Sequence, residues 1–345
     1  MRILHLLQSP HFSGAENVVC QIINMFKEDK DIEMIYCSQK GTIQKALEER
    51  KIKYFLLDSF TIKNVKNAID LIKPDIIHAH DRTASLVASL VCGKIPYISH
   101  IHYNAMNTRT FSVKALGYLF ATIKAKQIFW VSQSSFDGYI FHDFLKKKST
   151  ILYNIIDIHS LYERMYMDNT EYNYDFIFIG RIVEQKNPFR LLEVCKLVVN
   201  EIENVKFALV GTGELEESMK IKAKNMGLFN NISFVGYKAN PLKMLYDSKA
   251  MLMTSRFEGT PMCALEALAL GVPIVSTPAD GMKDLIINGE NGYLSENNEV
   301  LAQKLIEIIK SPSIRQDLSN KAVIFSKEYN NIDKYKKIIS EVYRK

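Results

Sequence analysis

The sequence predicts an α/β chain of two Rossmann-like, doubly wound parallel-sheet domains, and three observations carry that prediction. Apolar runs of strand length alternate with helix-length segments along the chain, and such alternation lays successive strands parallel in one sheet. The 345 residues, 47% of them apolar, exceed one ordinary core and suit two domains. Near mid-chain the pattern changes at Asn154-Ile155-Ile156-Asp157, and the polar stretch from Tyr166 to Tyr174 follows, which marks a linker. The predicted division is 1–158, 159–328 and a last helical segment, 329–345.

In the first half, Arg2–Leu7, Glu33–Ser38, Tyr54–Leu57, Ile76–Ala79, Tyr97–Ile101 and Ile128–Val131 read as buried strands, with Ala15–Phe26 a helix after the first. Ligands of doubly wound sheets sit beyond the carboxyl ends of the strands, so the loops there hold the candidates. In the first loop, Gln8 to Glu16, Gly14 enters a helix; it either lets backbone N–H groups approach a phosphate or serves only the turn. Period-two alternation puts His100 and His102 on one face, with His102 ending its strand. A strand-end histidine is either structural or chemical, and His78 reads as support for the sheet end. From Asn104 to Lys126, apolar residues including Phe111, Leu116, Phe120 and Ile123 recur at helical spacing beside Lys114, Lys124 and Lys126, with Lys146-Lys147-Lys148 further on. That face suits either a membrane surface or a core helix with solvated lysines.

The second half repeats the pattern. Asp175–Ile179 is a strand followed by Gly180 and Arg181, then Lys186, then Pro188 at a helix start. A glycine and two cations ahead of a helix suit a diphosphate, and a solvated charged turn has the same letters. Phe207–Val210 and Ile232–Val235 each end in glycine, in Gly211-Thr212-Gly213 and Gly236-Tyr237. Ala250–Met253 and Pro273–Ser276 flank one helix, which Thr260 caps, Pro261 opens as first helical residue, and Gly271 and Pro273 end. Glu258 precedes that helix, and Glu266 lies in its second turn among Met262, Cys263, Leu265 and Leu268. A charge on so apolar a helix requires a partner, either ligand hydroxyls or an internal cation. Both acids stand towards the helix N-terminus, where free amides and the dipole favour phosphate.

Glu258 to Glu266, within FEGTPMCALEALALGVPIVST, resembles the E-x7-E element of the retaining glycosyltransferases of family 4, which have the GT-B fold. Gly180 to Lys186 is similar to that family's Gly-Arg-x4-Lys loop, and Gln8 to Glu16 to its Gly-Gly-Ala-Glu loop, with Ser13 in place of the first glycine. Asn154 to Asp157 resembles Asn-Gly-Val-Asp, with Ile155 replacing glycine. The resemblance spans both halves and is strongest from Asp175 to Leu294. It implies two domains facing a cleft, with the donor on the C-terminal one, the acceptor mainly on the N-terminal one, and the last helix crossing back. The implied reaction moves a hexose-type sugar, with retention, from a nucleotide-sugar donor to a glycan or lipid-linked glycan acceptor in surface polysaccharide synthesis. A UDP-sugar is favoured, with no cofactor and no metal.

The same resemblance distributes roles. Arg181, Lys186 and the helix N-terminus at Pro261 meet the departing diphosphate, Glu258 the sugar hydroxyls, Glu266 the ribose hydroxyls, and His102 the donor sugar. Gly14, Gly180, Gly213, Gly236, Tyr237, Gly259, Thr260 and Pro261 complete the donor contacts. The alternative is a nucleotide-sugar-binding GT-B protein of another class. An epimerase would lack the Arg181–Lys186 loop, and a non-catalytic sensor has no need of His102 and Glu258 together.

A net charge of +6 and a pI near 8.8 permit an anionic substrate or membrane surface. Basic residues are not interleaved with aromatics, so nucleic acid is not an expected partner. No apolar run approaches the roughly 18–20 residues of a membrane span. Ile3–Leu7, broken by His5, reads as a buried strand rather than a signal-peptide core, and a cytoplasmic protein, peripheral at the inner face of the plasma membrane, is expected. Cys20, Cys37, Cys92, Cys195 and Cys263 read as buried free thiols. Asp29-Lys30-Asp31 has the letters of a metal-binding D-x-D but lies in a polar turn, and is read as no metal site.

Overall fold

The structure, a computed structural model, describes residues 1–103 and 106–344. Asn104 and Lys345, which bound two of the segments read above, lie outside the described residues. Two compact units divide the chain: Met1–Ile155 with Ile332–Lys345, and Ile156–Asn331. The two chain crossings are tied together inside the second unit, where the Ile156 amide donates to Asn330 Oδ1 at 2.8 Å.

Among the described residues the first unit holds β1 (Arg2–Leu6), β2 (Glu33–Gln39), β3 (Tyr54–Leu57), β4 (Ile76–His80), β5 (Tyr97–Ile101), β6 (Ala125–Trp130) and β7 (Ser149–Ile151), in the order β3-β2-β1-β4-β5-β6-β7. The second holds β8 (Phe176–Ile179), β9 (Phe207–Val210), β10 (Ile232–Gly236), β11 (Ala250–Met253), β12 (Ile274–Ser276) and β13 (Gly292–Leu294), in the order β10-β9-β8-β11-β12-β13. Every pairing is parallel. Parallel strands are joined by helical crossovers that cover both faces, so β1, β4, β5, β9 and β11 are buried along almost their whole length, β9 and β11 with apolar residues throughout and β1, β4 and β5 with histidines among theirs. β7 and β13, which periodicity does not reveal, are three-residue edge strands that lack a long apolar run.

The helix Ile332–Arg344 belongs to the first unit through one stripe, Tyr335, Ile339 and Tyr343, spaced four apart on a single face and buried. Its Tyr343 hydroxyl lies 2.7 Å from His78 Nδ1, and Lys336 pairs with Asp29 at 2.8 Å. Asp29 of the D-x-D letters is thus in an ion pair. Four cysteines are free and buried as expected, but Cys263 is only half-buried, because it stands in the first turn of its helix at the site described next. No helix of the described residues is long and apolar enough to cross a membrane.

Candidate functional site

In the second unit the strand order reverses between β8 and β11, and a crevice beyond the carboxyl ends of two such strands is where doubly wound sheets bind ligands. Both loops there are built from charge. After β8 the chain passes Gly180 and Arg181, makes a tight turn over Glu184–Lys186, takes a left-handed residue at Asn187 (φ 51°) and enters the helix Pro188–Glu201. The loop after β11 is laced to it: Thr254 Oγ1 donates to the Lys186 and Asn187 carbonyls at 3.2 and 3.1 Å, and the Arg256 amide to Gln185 O at 2.8 Å. This lacing sets Lys186 Nζ 2.5 Å from Glu258 Oε1, with the side chains only 12% and 6% exposed. Burial works against the Lys186 ammonium, but the Glu258 carboxylate outweighs it and holds the pKa above the ordinary lysine value. Arg181 is exposed, close enough to repel Lys186, and makes no ion pair among the described residues.

Gly259, Thr260 and Pro261 are buried, and the helix that follows is Met262–Ala269. The start differs from the sequence reading by one residue: Pro261, extended at ψ 124°, is the cap residue rather than the first helical one. Its carbonyl accepts from the Ala264 and Leu265 amides at 3.1 and 3.3 Å, and a cap position needs no N–H of its own, so proline fits there equally well. In the second turn Glu266 is half-buried; burial pushes its carboxyl up to about 7 against the pull of the Arg164 guanidinium. Arg164 forms no ion pair with it, and among the described residues Glu266 has no hydrogen-bond partner. Of the two partners the sequence left open, the internal cation is therefore attracting but not bound. Cys263 feels the charges of Lys186, Glu258 and Glu266 together, which places all three around one helix start; burial raises its thiol to about 12.

The remaining second-unit candidates are backbone positions. A Cβ on Gly213 would stand 2.2 Å from the Ile182 carbonyl oxygen, so glycine is demanded there by the loop after β8, whatever ligand it meets. Gly236 adopts φ 75°, a left-handed conformation suited to glycine, and its carbonyl accepts from Gly211 at 2.8 Å, leaving Tyr237 exposed at the tip. Gly180 is tied to β9 through Val210 O at 3.0 Å.

In the first unit, Gly14 opens the helix Gly14–Met25 and is exposed. Ser13, in the place where a glycine was the family pattern, caps that helix: its amide and hydroxyl donate to Glu16 Oε2 at 3.0 and 2.5 Å. His102 sits one residue past β5 rather than ending it, and is buried. Its Nε2 lies 2.8 Å from His80 Nδ1, and its backbone N–H donates to Asp81 Oδ1 at 3.0 Å. Burial lowers its pKa to about 3, so the ring is neutral. His5, His80 and Asp81, which join His78, His100 and His102 at the sheet end, were given no site role by the sequence reading. Their signal is register: His5 pairs with His78 and His80 with His100, which alternation within single strands does not show.

Two doubly wound units, the second with paired cation and carboxylates at its switch point, define a GT-B protein of the sugar-transferring class. Two family profiles tile the chain, the one described as Glycosyltransferase Family 4 over residues 12–160 and the one described as Glycosyl transferases group 1 over residues 168–324. The chain belongs to the glycosyltransferases of the family 4 type. It is 24% identical over 309 residues to a poly(glycerol-phosphate) alpha-glucosyltransferase of Bacillus subtilis, covering 88% of this chain but 45% of that protein, so the chain spans about half of that relative's length. With the UDP-Gal:alpha-D-GlcNAc-diphosphoundecaprenol alpha-1,3-galactosyltransferase of Escherichia coli it shares 24% identity over 87% of this chain and 85% of the other. Its fold matches Anabaena HepE in complex with UDP-glucose at a TM-score of 0.84, over 100% of this chain and 99% of that one, at 20% identity.

Proposed function

We propose that the protein moves a hexose-type sugar from a nucleotide-sugar donor, a UDP-sugar by preference, to a glycan or lipid-linked glycan acceptor. The anomeric configuration is retained, and neither metal nor cofactor takes part. The observation that carries this reading is the second-unit switch point, where Lys186 and Glu258 form a buried pair beside an unbonded Glu266. A buried pair of this kind is a poor source of stability, because desolvation consumes most of its Coulomb energy. A nucleotide sugar offers each member a second partner: Lys186 and the exposed Arg181 turn to the diphosphate, and Glu258 to the sugar hydroxyls. Glu266 takes the ribose hydroxyls, whose O–H donors suit an acceptor with no hydrogen bond among the described residues. Gly180, Gly213, Gly236, Tyr237, Gly259, Thr260 and Pro261 supply backbone contacts, and Gly14 and His102 of the first unit contribute to the phosphate and sugar by their family positions.

Rate comes from fixed positive charge aimed at the oxygen that gains negative charge as the sugar departs. Glu258, held by an ammonium at 2.5 Å, is a weak nucleophile, which supports reaction on one face of the sugar without a covalent intermediate. The names of the two enzyme relatives, and the UDP-glucose bound to the Anabaena protein, support a UDP-sugar and a polymer or lipid-linked acceptor. A peripheral membrane contact belongs to the same reading. The helix Val113–Lys124 buries Ala115, Tyr118, Ala121 and Thr122 yet leaves Val113, Leu116, Phe120 and Ile123 exposed, with Phe111 and Phe144 exposed nearby and lysines around them. Incubation with a panel of nucleotide sugars and a crude glycolipid extract, watching for free nucleoside diphosphate, tests the proposal; a protein that binds UDP but releases none from any donor would be a sensor instead.

A further inference from the structure

Five histidines, His5, His78, His80, His100 and His102, lie buried at the carboxyl ends of β1, β4 and β5. Three of them form a row. His5 Nδ1 is 3.0 Å from His80 Nε2, and His80 Nδ1 is 2.8 Å from His102 Nε2. The ring-centroid separations, 5.3 and 5.1 Å, equal those contacts plus two ring radii, so the imidazoles meet end to end in near-common planes. His78 and His100 stack on the row, 4.4 Å from His80 and His102.

Two trios of these nitrogens lie within 4.8 Å of one another, which raises the question of a metal. The contacts answer it. Spacings of 2.8 and 3.0 Å are shorter than the ~3.3 Å between two imidazole nitrogens on one tetrahedral zinc with bonds of about 2.0–2.1 Å. End-on nitrogens also point at each other rather than at a common centre. The row is hydrogen-bonded.

A second clamp acts on the same residue. Asp81, directly after His80, has φ 68°, a region an aspartate seldom occupies. That turn brings two consecutive side chains to His102, the His80 ring to its Nε2 and the Asp81 carboxylate to its backbone N–H.

We propose that His80 is a positioning residue that fixes His102 in the tautomer carrying its hydrogen on Nδ1. The proposal rests on the reading of His102 as a contact to the donor sugar. A neutral imidazole has one N–H and one acceptor nitrogen, so the direction of one bond in the row dictates the next. If His5 donates from Nδ1, His80 accepts at Nε2 and donates from Nδ1, and His102 accepts at Nε2 and keeps its hydrogen on Nδ1. Each order leaves one N–H unmet within the protein, at His5 Nε2 in the reverse order and at His102 Nδ1 in the forward one, since both atoms are buried and without a partner among the described residues. His5 is 0% exposed, His80 2% and His102 8%, so of the two ends the His102 end is the one a sugar oxygen can reach, and the forward order is the one a bound sugar completes.

Histidine-selective nitrogen-15 NMR of the full chain reads the tautomer directly, with the His102 signals assigned by their loss in His102→Gln. The expected result at pH 7 is His102 with hydrogen on Nδ1 alone. His80→Asn, whose amide nitrogen can take the place of Nδ1, keeps that state, and His80→Leu yields a mixture in which Nε2–H appears. Wild-type His102 with hydrogen on Nε2, or an unchanged tautomer in His80→Leu, overturns the proposal. Should His80→Leu fail to fold, the wild-type and His80→Asn spectra still decide. The underlying reading fails separately: His102→Ala with undiminished UDP release from UDP-glucose would remove the sugar contact and leave the tautomer result untouched.

Discussion

The strand order of each sheet reverses once at its centre, between β1 and β4 in the first unit and between β8 and β11 in the second, and the two reversals carry opposite chemistry. In the second unit the crevice holds the charges of Lys186, Glu258 and the exposed Arg181, beside Glu266, whose carboxyl burial holds up at about 7. In the first it holds five buried imidazoles, of which burial drives His5 and His102 down to about 3 and the other three well below the ordinary histidine range. The difference teaches how each part earns its order. A charged site is kept in place by a partner of opposite sign and is ready to exchange that partner for a ligand. The neutral imidazoles are ordered by hydrogen-bond direction and ring stacking, and have no charge to exchange. Substitutions that remove charge should therefore act strongly on the second crevice, while in the first pH between 5 and 8 reaches Asp81, whose carboxyl burial pushes up to about 6, and leaves the imidazoles neutral.

The largest effect is expected from Lys186→Ala. It deletes a cation aimed at the leaving diphosphate, for which a loss of about 10²–10³ in transfer rate is the usual scale. It also strands Glu258, a carboxylate 6% exposed, and breaking a buried pair from one side costs on the order of 3–5 kcal/mol. Replacing both partners, Lys186→Met with Glu258→Leu, separates the two consequences: thermal stability should return while transfer does not. Recovery of transfer in the double variant would show that the pair is structural only.

A smaller effect distinguishes the two acids. Ribose contacts are alike in donor, product and transition state, so Glu266→Ala should weaken binding of UDP by about tenfold, ~1.4 kcal/mol, with less effect on the chemical step. Glu258→Ala should bind UDP nearly as the wild type does and transfer sugar far more slowly. Glu266 also supplies a pH signature. Its carboxyl is held up at about 7, above the ordinary glutamate value, so it is mostly protonated at pH 6 and mostly ionised at pH 8. UDP affinity should therefore rise across that interval in the wild type more than in Glu266→Gln. Calorimetry at the two pH values with both proteins checks this, and equal rises would transfer the effect to the nucleotide itself.

How much of this was legible in the sequence follows the same division. Strands buried on both faces announce themselves as apolar runs, as β9 and β11 do, and these two together with β5 and the half-buried edge strand β3 have the bounds read from the sequence. Arg181, Lys186, Glu258 and Glu266 stand out because charge is conspicuous beside apolar segments. That Lys186 and Glu258 bond to each other was hidden, since it depends on Thr254 and Arg256 lacing one loop to another across 72 residues of chain. The imidazole row was hidden for a different reason. His5, His80 and His102 lie on or after three strands, and only the order β1-β4-β5 and its register bring them together. Asp81 gives no local hint of its left-handed backbone, because the requirement comes from His102 rather than from its neighbours in the chain.

The proposed membrane contact concerns a third surface, where apolar exposure and charge would act together. Lys148 is partly spent, its Nζ donating to the Ile123 carbonyl at 2.9 Å, and Lys124 donates to Ser89 O at 3.1 Å, so both also cap backbone within the first unit. Lys146 and Lys147 are exposed. Binding to anionic vesicles should be weak, with about 1 kcal/mol from each lysine near the surface, and should fade as salt screens it. Sedimentation with anionic and neutral vesicles at two salt concentrations measures it. Equal binding to both, or none to either, would discard the membrane contact while leaving the second crevice as it is.

The smallest effect expected is none at all: transfer should survive EDTA. On the proposed reading, Arg181 and Lys186 of the second crevice would bring two positive charges to the diphosphate, the task that a divalent cation performs where such residues are lacking. In the first, nitrogen spacings of 2.8 and 3.0 Å hold shared hydrogens and leave no room for an ion between them. The two crevices give one prediction for two different reasons, and chelation tests both. A loss of turnover in EDTA that manganese restores, together with normal UDP affinity in Lys186→Ala, would return the leaving-group charge to a metal. If zinc rather than manganese restored it, and the His102 signals shifted on zinc addition, the histidine row would be the place where the metal binds.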